Sequence, residues 1–308
     1  MKNRLKTLLI LPILMLIYSC NKLKTEYHDN GQKWKEYHRE NNQYNGVFKE
    51  YFTNGKLKLV HNYKDNIKID SSIYYYKIPV EKIMFINYWN NSSDTVLQIG
   101  YDINGLKTNE GFLLKKNEND LIAVDKWKYF DKNGKLKSIS EYKNIDGKGY
   151  LNQEWYFNNK GDTLFYPSHY FDILRNRDTF SFNYPFRAIA TTKAPLFKNK
   201  KSQISVIVAK EGFNFNSDFS NEKEIEVDTF HNLTKDIKNQ KWFLKESYPY
   251  TVAFGRKFET SGKKIVRGYI LEYYEQEPDS NGISKEEHKK YFEIPIYIKD
   301  SLDGSSSN

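Results

Sequence analysis

An aromatic residue, three intervening residues and a glycine recur five times in the first half of the chain: Tyr27 to Gly31, Tyr51 to Gly55, Tyr101 to Gly105, Phe130 to Gly134 and Phe157 to Gly161. Asn precedes the glycine as Asn30, Asn54, Asn104 and Asn133, and Lys160 does so in the last copy. Asn-Gly between alternating segments favours a tight hairpin because both residues tolerate positive φ, so a type I′ turn is expected at each tip. Each copy is then a strand, a turn and a returning strand. Leu57, Leu59 and Tyr63 follow one turn at alternate or near-alternate places, and Leu136 and Tyr142 hold matching offsets after another. Glycine spacings of 24 and 27 residues suit stacked supersecondary units. A β-hairpin repeat meander is expected over residues 27–166, with Gly31, Gly55, Gly105, Gly134 and Gly161 shaping its turns.

The pattern changes near Asp178. Longer alternating stretches follow: Thr179 to Ala190, Gln203 to Lys210, Glu224 to Phe230, Tyr250 to Glu259, Lys264 to Glu275 and Lys290 to Ile298. Even positions are apolar in 204–208 and 294–298, as a sheet with one buried face requires. Aromatic residues make up 16% of the 308 residues while Pro and Met are scarce, which favours strands throughout. The expected fold class is mainly β, with the meander followed by an immunoglobulin-like or transthyretin-like β-sandwich over residues 178–300. Pro295 places the last strand at an edge or beside a bulge. The boundary is expected between 167 and 178, and residues 301–308 read as a polar tail.

Three stretches carry a family likeness: 27–31, 46–58 and 129–137. They resemble the MORN-variant repeat, a β-hairpin unit of bacterial proteins often labelled antitoxin-like. The resemblance spans about residues 26–166, interrupted between Ile67 and Lys126 where only Tyr101 to Gly105 keeps the pattern. It implies an elongated binding surface and supplies no catalytic residues. The segment 266–273 resembles sandwich domains of bacterial envelope lipoproteins.

The N-terminus reads as a leader. Lys2, Arg4 and Lys6 are positive, Leu8 to Ile17 is apolar, and Ser19 is a small residue beside Cys20, the single cysteine. About ten apolar residues are too few for a hydrocarbon core that needs ~20, and Pro12 within the run disfavours a stable helix. Ile17, Ser19 and Cys20 resemble the lipobox of bacterial lipoproteins, which implies removal of residues 1–19 and acylation of Cys20, with 20–26 as a tether. The other reading is an ordinary secretory signal with an incidental cysteine. Lipidation would place the protein on the cell envelope, at the outer membrane, with the leaflet open. Cleavage removes three basic side chains, lowering the formal charge from +9 to +6. Export excludes intracellular nucleic acid as a partner, leaving lipid headgroups, glycans or an acidic protein for that charge. A solvated lysine-rich surface is the alternative.

Motifs for chemistry are sparse. The six histidines, His28, His38, His61, His169, His231 and His288, include no helical metal-ligand pair. Glu286-Glu287-His288 reads as a charged loop or short helix, and Asp131-Lys132-Asn133-Gly134 as a turn rather than a calcium loop. No zinc-protease motif, Walker loop or nucleophile elbow occurs. No catalytic residue, metal or cofactor is therefore assigned. His169 and Asp172 form the one sequence pair that could serve acid/base chemistry, and a linker beside Pro167 explains them equally. Trp34, Trp127 and Trp155 stand near repeat turns, where they could stack on sugar rings, anchor a protein, or be buried in the hairpin core. The reading is a non-enzymatic envelope lipoprotein that binds a protein or glycan. The alternatives are an immunity lipoprotein that neutralises a toxin, and an envelope-polymer hydrolase.

Replacing Cys20 with Ser is expected to release the protein from the membrane fraction or to leave its precursor uncut. Fractionation and immunoblotting of cells read this, and wild-type processing and retention would refute acylation.

Overall fold

The computed structural model describes residues 23–78, 81–117, 120–182, 184–278 and 284–300. Cys20 and the leader lie outside the described residues, as does the tail 301–308. The protein is mainly β and divides into two compact units at Lys82/Ile83. Among the described residues no helix is long and apolar enough to cross a membrane.

The first unit is an antiparallel meander of β1 (Leu23–Tyr27), β2 (Lys33–Glu40), β3 (Gln43–Tyr51), β4 (Leu57–Lys64) and β5 (Ile67–Tyr75), each paired with its sequence neighbour. Its apolar core is Tyr37, Phe48 and Leu59, flanked by Tyr44, Tyr63 and Tyr74. Register places Tyr37 opposite Phe48, Phe48 opposite His61, and His61 opposite Ser72. These four buried residues form one row across the strands. The Tyr37 and Phe48 rings stack at 6.0 Å, Phe48 and His61 also at 6.0 Å, and His61 Nδ1 meets Ser72 Oγ at 2.6 Å. Burial, assisted by the Lys68 charge, pushes the His61 imidazole down to about 4 and keeps it neutral in the row.

The second unit continues the same construction through β6 (Ile83–Trp89), β7 (Thr95–Tyr101), β8 (Lys107–Lys115), β9 (Leu121–Phe130), β10 (Leu136–Ile145), β11 (Lys148–Phe157) and β12 (Thr163–Leu174). A second row crosses these strands: Asn87 lies opposite Gln98, Gln98 opposite Gly111, Trp127 opposite Ser140, Ser140 opposite Glu154, and Glu154 opposite His169. Trp127 fills the space above Gly111, where an added Cβ would come within 2.2 Å of the indole.

The hairpin tips use two turn chemistries. At all five repeats the glycine has φ between 76° and 90°. Its N–H donates to the carbonyl three residues back, as Gly55 does to Phe52 at 2.8 Å. Asn30, Asn54, Asn104 and Asn133 are not in the positive-φ region, so these tips are type I turns closed by a glycine bulge, instead of the expected type I′ turns. The Asx side chains cap the turn: Asp131 Oδ1 accepts the Asn133 and Lys135 amides, and Asn54 Oδ1 accepts that of Lys56. Two-residue turns with positive φ at both positions occur at the opposite ends of three hairpins, at Asn41-Asn42, Asp65-Asn66 and Asp146-Gly147.

Beyond the meander lie β13 (Thr179–Ser181), β14 (Phe186–Ala194), β15 (Gln203–Ala209), β16 (Val227–His231), β17 (Thr251–Arg256), β18 (Gly262–Glu275) and β19 (Lys285–Lys299). The expected stretch Thr179 to Ala190 is split into β13 and the start of β14. One layer extends the meander in the order β12–β14–β17, and the other is a five-stranded sheet ordered β13–β19–β18–β15–β16. Phe171, Phe186, Ala188, Val252 and Phe254 of the first layer pack on Ile204, Val206, Val266, Ile270, Phe292 and Ile294 of the second. The region is therefore two-layered, but it borrows β12 from the repeat array. β12 pairs with β11 through Thr163, Leu164 and His169, then with β14 through Tyr170–Leu174. The stretch 167–178, read from sequence as a linker, is largely strand, and the compact units part at 82/83 instead. Pro295 pairs with Ile265 on one side. Its other side lies just before the contact with β13 begins at Tyr297, and its carbonyl accepts Arg175 at 3.0 Å. There the missing N–H breaks no ladder.

Gly134 has open space around it, whereas Gly111 faces Trp127. Gly134→Ala is expected to cost about 1 kcal/mol through backbone strain alone. Gly111→Ala should cost about 1–3 kcal/mol by displacing the indole. Denaturant unfolding of both variants checks the order, and equal costs would refute the row packing.

Candidate binding cleft

A cleft of about 910 Å³ opens in the second unit, bordered by β12, β14, β16 and β17. Its apolar lining includes Leu174, Ile189, Phe230 and Phe254, and its charged lining Arg175, Arg187, Glu211, Asp228, Arg256 and Lys257. Asn239, from a 3-10 helix spanning Ile237–Trp242, reaches the rim. The strands explain the placement. Phe186, Ala188, Val252 and Phe254 point into the core, so the alternate residues Arg187, Ile189, Ala253 and Gly255 emerge on the other face.

Arg256 anchors one end and is 8% exposed. Its guanidinium donates to the Phe213 carbonyl, to Asn214 Oδ1 at 3.2 Å and to the Lys210 carbonyl at 3.4 Å. Burial lowers its pKa, against the opposing pull of Glu211 and Asp228. The side chain therefore fixes the 210–214 turn at the cleft mouth. Arg175 is held by Asp178 at 2.7 Å and the Pro295 carbonyl. Among the described residues Arg187 and Lys257 make no hydrogen bond or ion pair, so their charges are available to a ligand.

Several ionisable groups away from the cleft are occupied with one another. Glu154 Oε1 accepts Ser140 Oγ at 2.8 Å, and its Oε2 lies 3.2 Å from His169 Nε2. The bond to His169 holds the Glu154 carboxyl below the usual range. The His169 ring meets that of His288 edge-on at 5.9 Å, and Tyr150 Oη lies 3.3 Å from His288 Nδ1. Burial, with help from the Lys290 charge, pushes His288 down to about 4. Serine, carboxylate and histidine are thus neighbours, but the hydroxyl bonds the carboxylate and not the imidazole, so their order differs from that of a serine–histidine–acid triad. Asp172 is not in this group. It lies three residues along β12 from His169 and sits 4.0 Å from Lys193.

Glu272 and Lys290 are both fully buried, 2.5 Å apart. Burial works to raise the Glu272 carboxyl, but Lys290 and the amides of Phe197 and Leu196, at 3.0 and 3.1 Å, outweigh it and hold the group ionised. The pair pins the 195–202 connection against β18. Among the described residues no group of three or more His, Cys, Asp or Glu is placed to hold a metal ion.

The three tryptophans singled out from sequence have different fates. Trp127 is 7% exposed and donates Nε1–H to the Phe112 carbonyl at 3.0 Å, so it is core and not a contact surface. Trp155 is half-buried against Tyr170 with Lys126 5.0 Å from its ring. Trp34 is 37% exposed, beside His28 and under Lys35. The most exposed tryptophan, Trp242 at 73%, carried no sequence signal because it lies outside the repeats. Glu286-Glu287-His288 is not a loop or helix but the start of β19. The charged residues of the cleft were missed as well, since only the tertiary fold brings Arg187, Asp228 and Arg256 together.

Comparison with known families matches the MORN repeat variant at residues 44–65 and 126–144. Both matched segments are hairpins built on the glycine-bulge turn, at Gly55 and Gly134. The tips at Gly31, Gly105 and Gly161 share that geometry outside the matched stretches. A search of curated proteins finds no match.

Lys290→Met should destabilise the protein by about 3–5 kcal/mol because Glu272 is left buried without its counter-charge. Adding Glu272→Leu should recover part of that loss, read by denaturant unfolding. A single variant as stable as wild type would contradict the buried pairing.

Proposed function

We propose that this protein is a non-enzymatic lipoprotein of the cell envelope, held to the membrane by acylated Cys20, which binds a protein or glycan through its β surfaces. The observation that carries the binding reading is the contrast between two sets of charges. Glu154, His169, Glu272 and Lys290 are spent on one another in the interior, whereas Arg187 and Lys257 stand unengaged on an open cleft with apolar walls. A cleft of this kind suits recognition: apolar area supplies affinity and a few charges fix orientation. The leader and Cys20 support the membrane location, and the outer membrane is the assignment we favour. The antitoxin-like resemblance of the hairpins supports a second reading, immunity towards a toxin, which the identity of the partner would decide.

Purifying the acylated protein from native membranes under mild detergent, with an Arg187→Glu/Lys257→Glu variant in parallel, tests this function. A defined protein or glycan should co-purify with wild type and be depleted at least tenfold with the variant. Equal recovery with both would remove the cleft from the function.

A further inference from the structure

β17 and β16 are the end strands of their respective sheets. Thr251 turns its carbonyl away from β14 to accept the Leu233 amide at 2.9 Å. In a strand, the N–H and C=O of one residue point to the same side, and alternate residues point to opposite sides. The register between β17 and β14 is unbroken, so Ala253 and Gly255 also direct both backbone groups away from β14. Among the described residues nothing pairs with these groups, and both residues line the cleft. An unpaired edge is a template for another strand, and natural sheets usually blunt it with bulky or charged side chains. Here the two edge positions carry a methyl group and a hydrogen.

The surroundings define what would lie there. An added strand presents alternate side chains to the two faces of the sheet. On the outer face it would pass Arg187, which is opposite Gly255 in the register, and Lys257. On the inner side it would meet Phe230 and the Phe254 edge of the core, with Glu211 and Asp228 repelling acidic groups from that side. We propose that the β17 edge binds an extended segment of a partner protein as an added strand, one whose acidic and apolar side chains alternate. The acidic side chains lie over Arg187 and Lys257, and the apolar ones face Phe230. This rests on the binding function proposed above and narrows its partner to a polypeptide.

The test uses the full acylated chain in detergent micelles and a set of synthetic decapeptides in which Asp or Glu alternates with Val or Ile. Matched sets carry Lys or Asn in the acidic places. Acidic sets should bind at least tenfold more tightly than lysine sets. Hydrogen exchange at the Ala253 and Gly255 amides should slow at least tenfold on binding. Ala253→Pro removes an outward N–H and leaves the β14 ladder intact, and with Arg187→Glu it should weaken binding at least tenfold; circular dichroism confirms that each variant is folded. Absence of peptide binding, equal binding of lysine peptides, or binding without protection at residues 253 and 255 would each overturn strand addition. If a native partner still co-purifies through the cleft in that event, the binding function stands and only the strand assignment fails.

Discussion

Each strand of a hairpin meander gives one residue to any line drawn across the sheet, and the stability of the array depends on what fills that line. Because the turn geometry repeats, the position six residues after the turn glycine and the position three before the aromatic fall in register in successive strands. In the first unit these are Tyr37, Phe48 and His61, with Ser72 closing the row. In the second they are Gly111, Trp127, Ser140 and Glu154. A flaw in one turn would slide its strand by a residue and expose the whole contribution. The aromatic row can tolerate His61 only because the imidazole stays neutral and finds Ser72. The polar row works because Glu154 is bonded on both sides.

The sequence reveals local chemistry better than tertiary chemistry. The five glycine tips were legible, since a glycine four residues after an aromatic, preceded by Asn in four of the five copies, is a purely local signal. Their type was not, because Asn-Gly is compatible with both a type I′ turn and a bulged type I turn, and the returning strand decides between them. The positive-φ pairs Asn41-Asn42 and Asp65-Asn66 could have been read as the opposing turns. Most later strands were visible from alternation, but the last strand is not an edge: β19 lies between β13 and β18, and Pro295 is accommodated because it precedes the contact with β13. Strand β15 was only half visible: Ser205 and Ile207 are buried on the face expected to be wet.

What composition hid most completely was the interior use of charge. Lys290 follows a run of charged residues and opens an expected strand without any mark of burial, yet it is fully buried because Glu272 comes from the neighbouring strand to meet it. Nothing local marks that pairing. The cleft has the same origin: β14, β16 and β17 are separated by long stretches of chain, and Arg187, Asp228 and Arg256 become neighbours only through the layered packing. The stretch read as a linker was likewise misleading, because Pro and polar residues there belong to a strand that serves two neighbours along its length.

That shared strand constrains how such a protein can change in evolution. β12 must run in one direction to pair antiparallel with β14, and its direction is set by the number of meander strands before it within the second unit. Gaining or losing a single strand would reverse β12 and present its opposite polarity to the layer that buries Phe171. Gaining or losing a complete hairpin preserves it. The array can therefore lengthen or shorten in steps of two strands, as tandem duplication of a hairpin-coding segment would provide. The recurrence of the Tyr/Phe-to-Gly frame is what such growth would leave behind.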